Sequence, residues 1–527
     1  MRRPLVLTIL LVAGVAVTVA LAAQSRVARP LTDGDIAAIA ELLKLEDSRT
    51  YDEPALSRIL ASAHPEVRRR AARSVGRIAD KRGAALLDVA RKDRDVEVSA
   101  TAAWAAGQLR DPAAAGWLSE LLTAAPTPAS IAREAAIALG KIQAPESRAA
   151  LVRFLTETPA AGARTTVVGE ALLSLGRFPA DDDVAPIVRW ATADGAEVRW
   201  RAAWALFRPR TPAALPHLLR LADDRSPDVR FWAVRGLIPH PNVDPAPSAA
   251  RLRAAVGDND RRVRTEALRA LGQHDDNESF AVVLKMLDSP DAWLSVSAAE
   301  LLARFATRAD VIVPRLAAAA APGRPLALRL TARQSLPRLG AAGTTALDAL
   351  ATDGLPSQPP VVRGPRPVPQ LRTDDEYRRI VERWIVPDYG GARRPRVEWV
   401  TPRGTIEMEL YPGDAPLGVE YLIRVTESGE TVGTEFSRVV PNFVAQQRAI
   451  RNDVVLRDEV SRHGLVRGNL SWASAGLDTG RPGYTLGVTP QPHNEGNFTA
   501  LGRVVRGMDV VERLQLGDTI TAARMLR

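Results

Sequence analysis

The chain has 527 residues, which is too long for one hydrophobic core, so its length predicts two or more domains. Its net charge is +9 and it contains no cysteine, which excludes disulfide bonds, thiol catalysis and most structural zinc sites. The basic residues are nearly all arginine and alternate with acidic residues along the chain. We interpret most of them as solvated helix faces, with nucleic-acid binding through the arginine excess as a weaker alternative.

An export or anchoring signal is predicted for residues 1–23. Arg2 and Arg3 precede an apolar run from Leu5 to Ala23 that ends in small residues. This order of charged, apolar and small residues is typical of a signal peptide. The run is also about long enough to span a bilayer, so an uncleaved anchor is an alternative. We expect the remaining chain to be periplasmic or secreted, or to face outward from the inner membrane.

A helical repeat is predicted for residues 32–350. In nine units an aliphatic residue is followed four positions later by alanine, and successive alanines are 31 to 36 residues apart. Such a pair lies on one helix face and is expected to point into a stack of helices. The pairs are Val67/Ala71, Val98/Ala102, Ile131/Ala135, Val167/Ala171, Val198/Ala202, Val229/Ala233, Val263/Ala267, Leu294/Ala298 and Leu328/Ala332. Glycine follows five positions after the alanine at Gly76, Gly107, Gly140, Gly176 and Gly272.

This pattern resembles the HEAT repeats, and the resemblance implies an all-α solenoid of helix pairs. Solenoids present long surfaces that bind other proteins, so protein partners are expected on the array. Trp104, Trp204 and Trp232 are interpreted as residues packed between helices rather than as anchors for a ligand.

A linker with one short helix is predicted for residues 351–395. Six prolines between residues 355 and 370 indicate an extended and stiff segment. Residues 373–385 begin with acidic residues and carry apolar residues at helical spacing, which predicts one amphipathic helix. We expect this helix to dock on one of the two neighbouring domains.

Short strands and two helices are predicted for residues 396–527. Strand-like runs occur at 397–400, 405–410, 434–444, 468–473, 484–489 and 498–505, and helices are expected at 415–427 and 508–514. This combination is typical of a closed antiparallel β-barrel capped by helices. One arginine, Arg438, lies within an apolar run, where it is costly to bury unless it faces a cleft or a partner.

Residues 436–446, F-S-R-V-V-P-N-F-V-A-Q, resemble the F-H-R-V-I-P-x-F-x-x-Q signature of the cyclophilin-type peptidyl-prolyl isomerases. Three further segments match that family in the same order. They are G-T-I-E-M-E-L-Y-P-G-D-A-P from Gly404, R-G-N-L-S-W-A-S-A-G from Arg467 and T-A-L-G-R-V-V-R-G-M-D-V-V from Thr499. The resemblance implies a cyclophilin-like barrel that isomerises X-Pro bonds of protein clients and needs no cofactor or metal.

The resemblance also implies six site residues. Arg438 would be the catalytic residue, Phe443 the floor of the proline pocket, and Gln446 a ligand of the substrate backbone.

Ala473 and Ser474 match the strand that hydrogen-bonds the residue before proline in the family. Phe498 stands where the family has a pocket histidine.

Other positions depart from the family pattern. Ser437 replaces a histidine, Gly483 a glutamine, Thr485 an aromatic wall of the pocket, and His493 a tryptophan. These changes weaken the pocket but keep the central arginine. The main interpretation is an exported peptidyl-prolyl isomerase with a HEAT array for protein binding. The alternative is a non-catalytic interaction scaffold with a degenerate cyclophilin-like domain.

Overall fold

The structure, a computed structural model, describes residues 29–526 apart from residues 125, 161, 163, 180, 352–354, 356–370 and 452. An array of helices is followed by a barrel of antiparallel strands. The expected signal segment, residues 1–23, and most of the proline-rich part of the linker lie outside the described residues. Among the residues described, every helix is too short or too polar to span a bilayer.

Within residues 29–351, an inner layer of nine helices carries the repeated pairs, and each helix packs on the next. All nine aliphatic–alanine pairs are buried, as are Trp104, Trp204 and Trp232, which confirms the predicted solenoid and the packing role of the tryptophans. The inner helices are Pro65–Ile78, Val96–Leu109, Ala129–Ile142, Thr165–Leu175, Ala196–Phe207, Pro227–Arg235, Arg261–Leu271, Ala292–Leu302 and Leu326–Ser335. The other helices are Asp33–Ser48, Glu53–Leu60, Ala84–Ala90, Ala115–Thr123, Pro145–Glu157, Ala185–Val188, Leu215–Leu221, Ala246–Ala255, Asn277–Met286, Ala309–Ala319 and Ala341–Asp348.

The repeat glycines lie where neighbouring inner helices touch. A Cβ atom on Gly107 would be 2.7 Å from the Cα atom of Ala138, and one on Gly140 would be 2.7 Å from the Cα atom of Ser174. Carbon atoms pack favourably only at about 3.5–4.0 Å, so a side chain there would push the helices apart. Glycine at these positions therefore sets the close spacing of the repeats.

A second repeated contact joins each repeat to the turn of the next one. The residue after the aliphatic position is arginine in several units, and its guanidinium forms a two-pronged ion pair with an aspartate of the following turn. The pairs are Arg68–Asp93, Arg199–Asp224 and Arg230–Asp258, with shortest N–O distances of 2.6 to 2.8 Å. The same guanidiniums donate to carbonyls of the preceding turn, so each one bonds two successive turns together.

Within residues 371–526, eight strands form one antiparallel sheet in the order β3-β4-β6-β5-β7-β2-β1-β8. Backbone hydrogen bonds between residues 433–436 and 517–520 join its two edges, which agrees with the predicted closed barrel. Helices Pro416–Glu427 and Met508–Arg513 pack on the barrel. The strands are β1 Arg396–Thr401, β2 Gly404–Leu410, β3 Phe436–Val440, β4 Val444–Gln447, β5 Asn469–Ala473, β6 Arg481–Gly487, β7 Ala500–Arg506 and β8 Ala522–Leu526.

The predicted single strand over residues 434–444 is wrong. The chain turns back at Pro441–Phe443, so this segment forms the hairpin of β3 and β4. Proline lacks the N–H group that a strand would use, and Asn442 adopts a left-handed conformation with φ of 60°. Because of this turn, Arg438 lies directly opposite Gln446.

The linker helix begins at Asp374 and continues through a π-helical turn, Val381–Ile385, to Tyr389. It contacts both halves of the protein. The Tyr377 hydroxyl donates to the Asp47 carboxylate of the array at 2.7 Å, and the Trp384 indole donates to the Glu420 carboxylate of the barrel. The docking of this helix is thus confirmed, and it involves both domains rather than one.

Several arginines of the inner helices are buried against the barrel, so for them the interpretation as solvated helix faces is wrong. Arg70 and Arg73 donate to the Gly413 carbonyl, and Arg77 donates to the carbonyls of Glu459 and Val460. The Arg77 guanidinium also bonds the buried Glu46 carboxylate at 2.7 Å. The inner face of the array therefore holds the barrel of its own chain.

Replacement of Gly107 by alanine is expected to destabilise the array, although alanine is the better helix former. Overpacking at this contact costs about 1–3 kcal/mol, against a gain of about 1 kcal/mol in helix propensity. The midpoint of urea unfolding should therefore fall. Gly116→Ala is the matched control, because Gly116 lies in a helix with no heavy atom within 4 Å of the added Cβ, and its midpoint should stay or rise. An unchanged midpoint for Gly107→Ala would contradict the close approach of the helices.

Candidate active site

Three of the predicted site residues form one contact group on the β3–β4 hairpin. The Arg438 guanidinium donates to the Gln446 side-chain oxygen at 3.3 Å. Its central carbon lies 5.5 Å from the centre of the Phe443 ring. Arg438 is exposed, and Phe443 and Gln446 are half-buried. The group therefore presents a cation and an aromatic face side by side at a surface that solvent reaches.

Ala473 and Ser474 lie at the end of β5, and β6 separates β5 from β4. The residues between them form a row across the sheet, since Gln446 is opposite Thr485 and Thr485 is opposite Ser471. The hydroxyls of Ser471 and Thr485 are hydrogen-bonded at 2.6 Å. The Thr485 hydroxyl is therefore already hydrogen-bonded to Ser471 on β5.

Phe498 is half-buried and packs against a small apolar group formed by Tyr411, Leu465 and Ala500. Among the described residues, no hydrogen bond or ring contact links it to Arg438, Phe443 or Gln446. Its place in the proline pocket stays a prediction.

His493 joins the contact group although the sequence did not single it out as a site residue. Its ring stacks on the Phe443 ring with centres 6.4 Å apart and an angle of 23° between the planes. The signal in the sequence was its position, because it stands where the family has a tryptophan. An aromatic ring at that position is therefore kept, in a smaller and more polar form.

The array holds both sides of this group. Arg177 donates to the carbonyl of Pro492, next to His493. On the other side, the Asn442 amide donates to the Arg262 carbonyl at 2.8 Å and to the Glu266 carboxylate at 3.2 Å. Phe443 and His493 therefore lie between two attachments to the inner surface of the array, and we call the space between these two rings and that surface the cleft.

This environment determines the protonation of His493. His493 is exposed, but the protein atoms packed around its ring exclude part of its water. This exclusion, and then the guanidiniums of Arg208, Arg235 and Arg177, lower the pKa of His493 to about 4. The imidazole is therefore neutral at pH 7 and stacks on Phe443 as an uncharged ring. No cluster of His, Cys, Asp and Glu suited to a metal ion occurs in the part of the chain that the structure describes.

Comparisons with protein families match both halves of the chain. Residues 396–527 match the model for cyclophilin type peptidyl-prolyl cis-trans isomerases. Residues 53–128, 83–170, 165–238 and 221–303 match the model for HEAT repeats.

Similar proteins are found for the C-terminal part. Peptidyl-prolyl cis-trans isomerase B of Bacillus subtilis is 32% identical over 128 residues, which is 23% of this chain and 90% of the relative. A peptidyl-prolyl cis-trans isomerase of Helicobacter pylori is 31% identical over 134 residues, with 23% of this chain and 80% of the relative covered. A crystal structure of a Cryptosporidium parvum cyclophilin type peptidyl-prolyl cis-trans isomerase aligns with 25% of this chain and 98% of its own at 18% identity and a TM-score of 0.24.

The pKa of His493 can be measured by NMR titration of the imidazole signals, identified with His493→Gln. We expect a value near 4 in the native chain, and a rise toward the ordinary value of about 6.5 in Arg208→Gln/Arg235→Gln. Since the unfolded state takes up this proton near pH 6.5 and the folded state only near pH 4, His493 lowers stability progressively as the pH falls between these values. Arg94→Gln, an exposed arginine of another turn, should leave the titration unchanged. A native value above 6 would contradict the effect of the array arginines.

Proposed function

The chain belongs to the cyclophilin-type peptidyl-prolyl cis-trans isomerases through residues 396–527, and we propose that Arg438 is its catalytic residue. The protein carries this isomerase domain behind a series of HEAT repeats. The observation that supports the proposed role is the contact group of Arg438, Phe443 and Gln446 on one solvent-accessible hairpin.

Resonance of the X-Pro amide creates the barrier to isomerisation, which is about 20 kcal/mol. The resonance is lost when the amide twists, and the prolyl nitrogen then becomes pyramidal and able to accept a hydrogen bond. A guanidinium N–H aimed at that nitrogen stabilises the twisted state more than either planar state, which is differential binding of the transition state. The proposed step moves no proton and forms no covalent bond.

Gln446 has two tasks in this scheme. Its side-chain oxygen accepts from Arg438 at 3.3 Å and so orients the guanidinium. Its NH2 group can still donate to a carbonyl of the substrate. Phe443 supplies the apolar floor on which the proline ring rests, beside the His493 ring. Ala473 and Ser474 on the far side of β6 would hold the residue before the proline, and Phe498 would border the pocket.

We further propose that the array acts with the isomerase domain on protein clients. HEAT repeats are protein-binding modules, and here the inner surface of the array faces the cleft that contains Phe443 and His493. A client that enters the cleft would therefore meet both domains at once.

Export from the cytoplasm is the last part of the proposal. It is supported by the arginines at positions 2 and 3 and the apolar run from Leu5 to Ala23. The mature domains would then act in the periplasm, outside the cell, or on the outer side of the inner membrane.

Arg438→Ala is expected to lower kcat/KM for an Ala-Pro peptide by about 100-fold or more, the usual effect of deleting one donor to a transition state. The measurement is the cis-to-trans rate with the full chain. Arg448→Ala is the matched control, because Arg448 lies on the same hairpin and pairs with Glu435, outside the contact group. Its rate should stay within about twofold of the native rate. Activity retained by folded Arg438→Ala would refute the role of Arg438, and no rate from the native chain would favour a binding module.

Deletion of residues 1–23 tests export. When the full chain is expressed in a Gram-negative host, we expect it in the periplasmic or membrane fraction, and we expect the shortened chain in the cytoplasm. The N-terminal residue of the exported protein distinguishes a cleaved signal from an anchor. Equal fractionation of the two chains would contradict the proposal.

A further inference from the structure

A groove in the array lies beside the proposed isomerase cleft. It has a volume of about 190 Å³ and carries charged residues at or near the carboxyl ends of four successive inner helices. We call it the arginine groove, after its charged lining of Arg210, Arg235, Arg269, Arg304, Glu266 and Glu300.

The positive charge of the arginine groove is only partly neutralised. Arg235 lies 3.4 Å from Glu266, which also accepts from Asn442. Arg210, Arg269 and Arg304 form no ion pair with a carboxylate in the described part of the chain. Arg210 and Arg304 are exposed to solvent. With four arginines and two glutamates, Glu266 and Glu300, its lining keeps a formal charge of +2, so the groove offers unpaired guanidiniums to a ligand that brings carboxylates.

The arginine groove is adjacent to the contact group on the barrel. Glu266 lines the groove and accepts from Asn442, the residue directly before Phe443. Arg235 also lines the groove, and its charge acts on His493, which stacks on Phe443. A polypeptide lying across Phe443 would therefore have the groove as its neighbour on the array.

The direction of that polypeptide follows from the proposed function, on which this inference rests. Ala473 and Ser474 are proposed to hold the residue before the proline, and they lie on the side of β6 away from β4. Asn442 lies in the β3–β4 turn directly before Phe443, and its amide donates to Glu266 of the groove. The residues that follow the proline consequently run toward the arginine groove.

We propose that the arginine groove binds acidic side chains that follow the proline of a client segment, and so makes this isomerase selective for X-Pro bonds with an acidic segment on their carboxyl side. The client chemistry is an extended stretch of polypeptide with aspartates or glutamates at alternating positions. In an extended chain such side chains share one face and repeat about every 6.6 Å. Carboxylates on that face can form charge-assisted hydrogen bonds with the guanidiniums of the groove.

The test compares three peptides with the full chain, by NMR exchange between their cis and trans forms. Each has one Ala-Pro bond. The first has glutamate at alternating positions over the eight residues after the proline, the second has glutamine there, and the third has the same glutamates before the proline. The variant is Arg210→Gln/Arg269→Gln/Arg304→Gln. Its control, Arg94→Gln/Arg153→Gln/Arg338→Gln, removes the same charge from exposed positions outside the groove.

The native chain should isomerise the first peptide with a kcat/KM about 5- to 20-fold above that of the second and third. The preference should fall in 0.5 M NaCl, since screening weakens exposed ion pairs. It should disappear in the groove variant and persist in the control variant, which separates a local effect from attraction by the net charge.

Equal kcat/KM for the three peptides, or a preference that survives in the groove variant, would overturn the inference. Isomerisation of the second peptide tests the proposed function independently of the groove, because this peptide carries no acidic residues. If none of the peptides is isomerised, fluorescence anisotropy of the labelled first peptide decides the matter. Binding that is weakened at least fivefold by the groove substitutions supports the groove, and binding that is equal in both proteins refutes it.

Discussion

Three buried guanidiniums on one helix constrain how the array and the barrel sit against each other. Arg70, Arg73 and Arg77 donate to backbone carbonyls in loops of the barrel. Donors of a guanidinium removed from water are costly to leave unbonded, and these carbonyls come within reach only at one relative position of the two domains. With the barrel seated in that position, the β3–β4 hairpin faces the later repeats. These contacts act together with those of Arg177, Arg262 and Glu266 to set the surroundings of the isomerase cleft.

The cleft itself depends on a local feature, the turn at Asn442. A continuous strand would have carried Gln446 about 26 Å beyond Arg438, whereas the hairpin sets the two side chains against each other. The same asparagine bonds the array through its amide, so one residue both folds the hairpin and attaches it. His493 reaches the group from a different loop, which Arg177 holds.

Patterns within a few residues were enough to predict both domains from the sequence. The aliphatic–alanine pairs and the ordered barrel motifs are local signals, and the structure and the family comparisons confirm both resemblances. β8 was not predicted, because Ala522–Leu526 has an arginine and two alanines where an apolar strand is expected. The burial of Arg77 could not be predicted either, since its carbonyl partners on the barrel lie 337 to 383 positions away in the chain. His493 was noticed only as a departure, because its stacking partner lies on another loop.

The composition of the inner surface also matters while the protein is being made. The array emerges from the ribosome first, and its hydrogen bonds with the barrel join residues 176 to 429 positions apart. The inner surface therefore remains exposed until the last segment has folded. An apolar surface left open for that interval would invite aggregation. Guanidiniums stay hydrated until carbonyls replace the water. The arginine-lined inner surface therefore stays hydrated until the barrel folds onto it, and it offers chaperones little apolar area to bind.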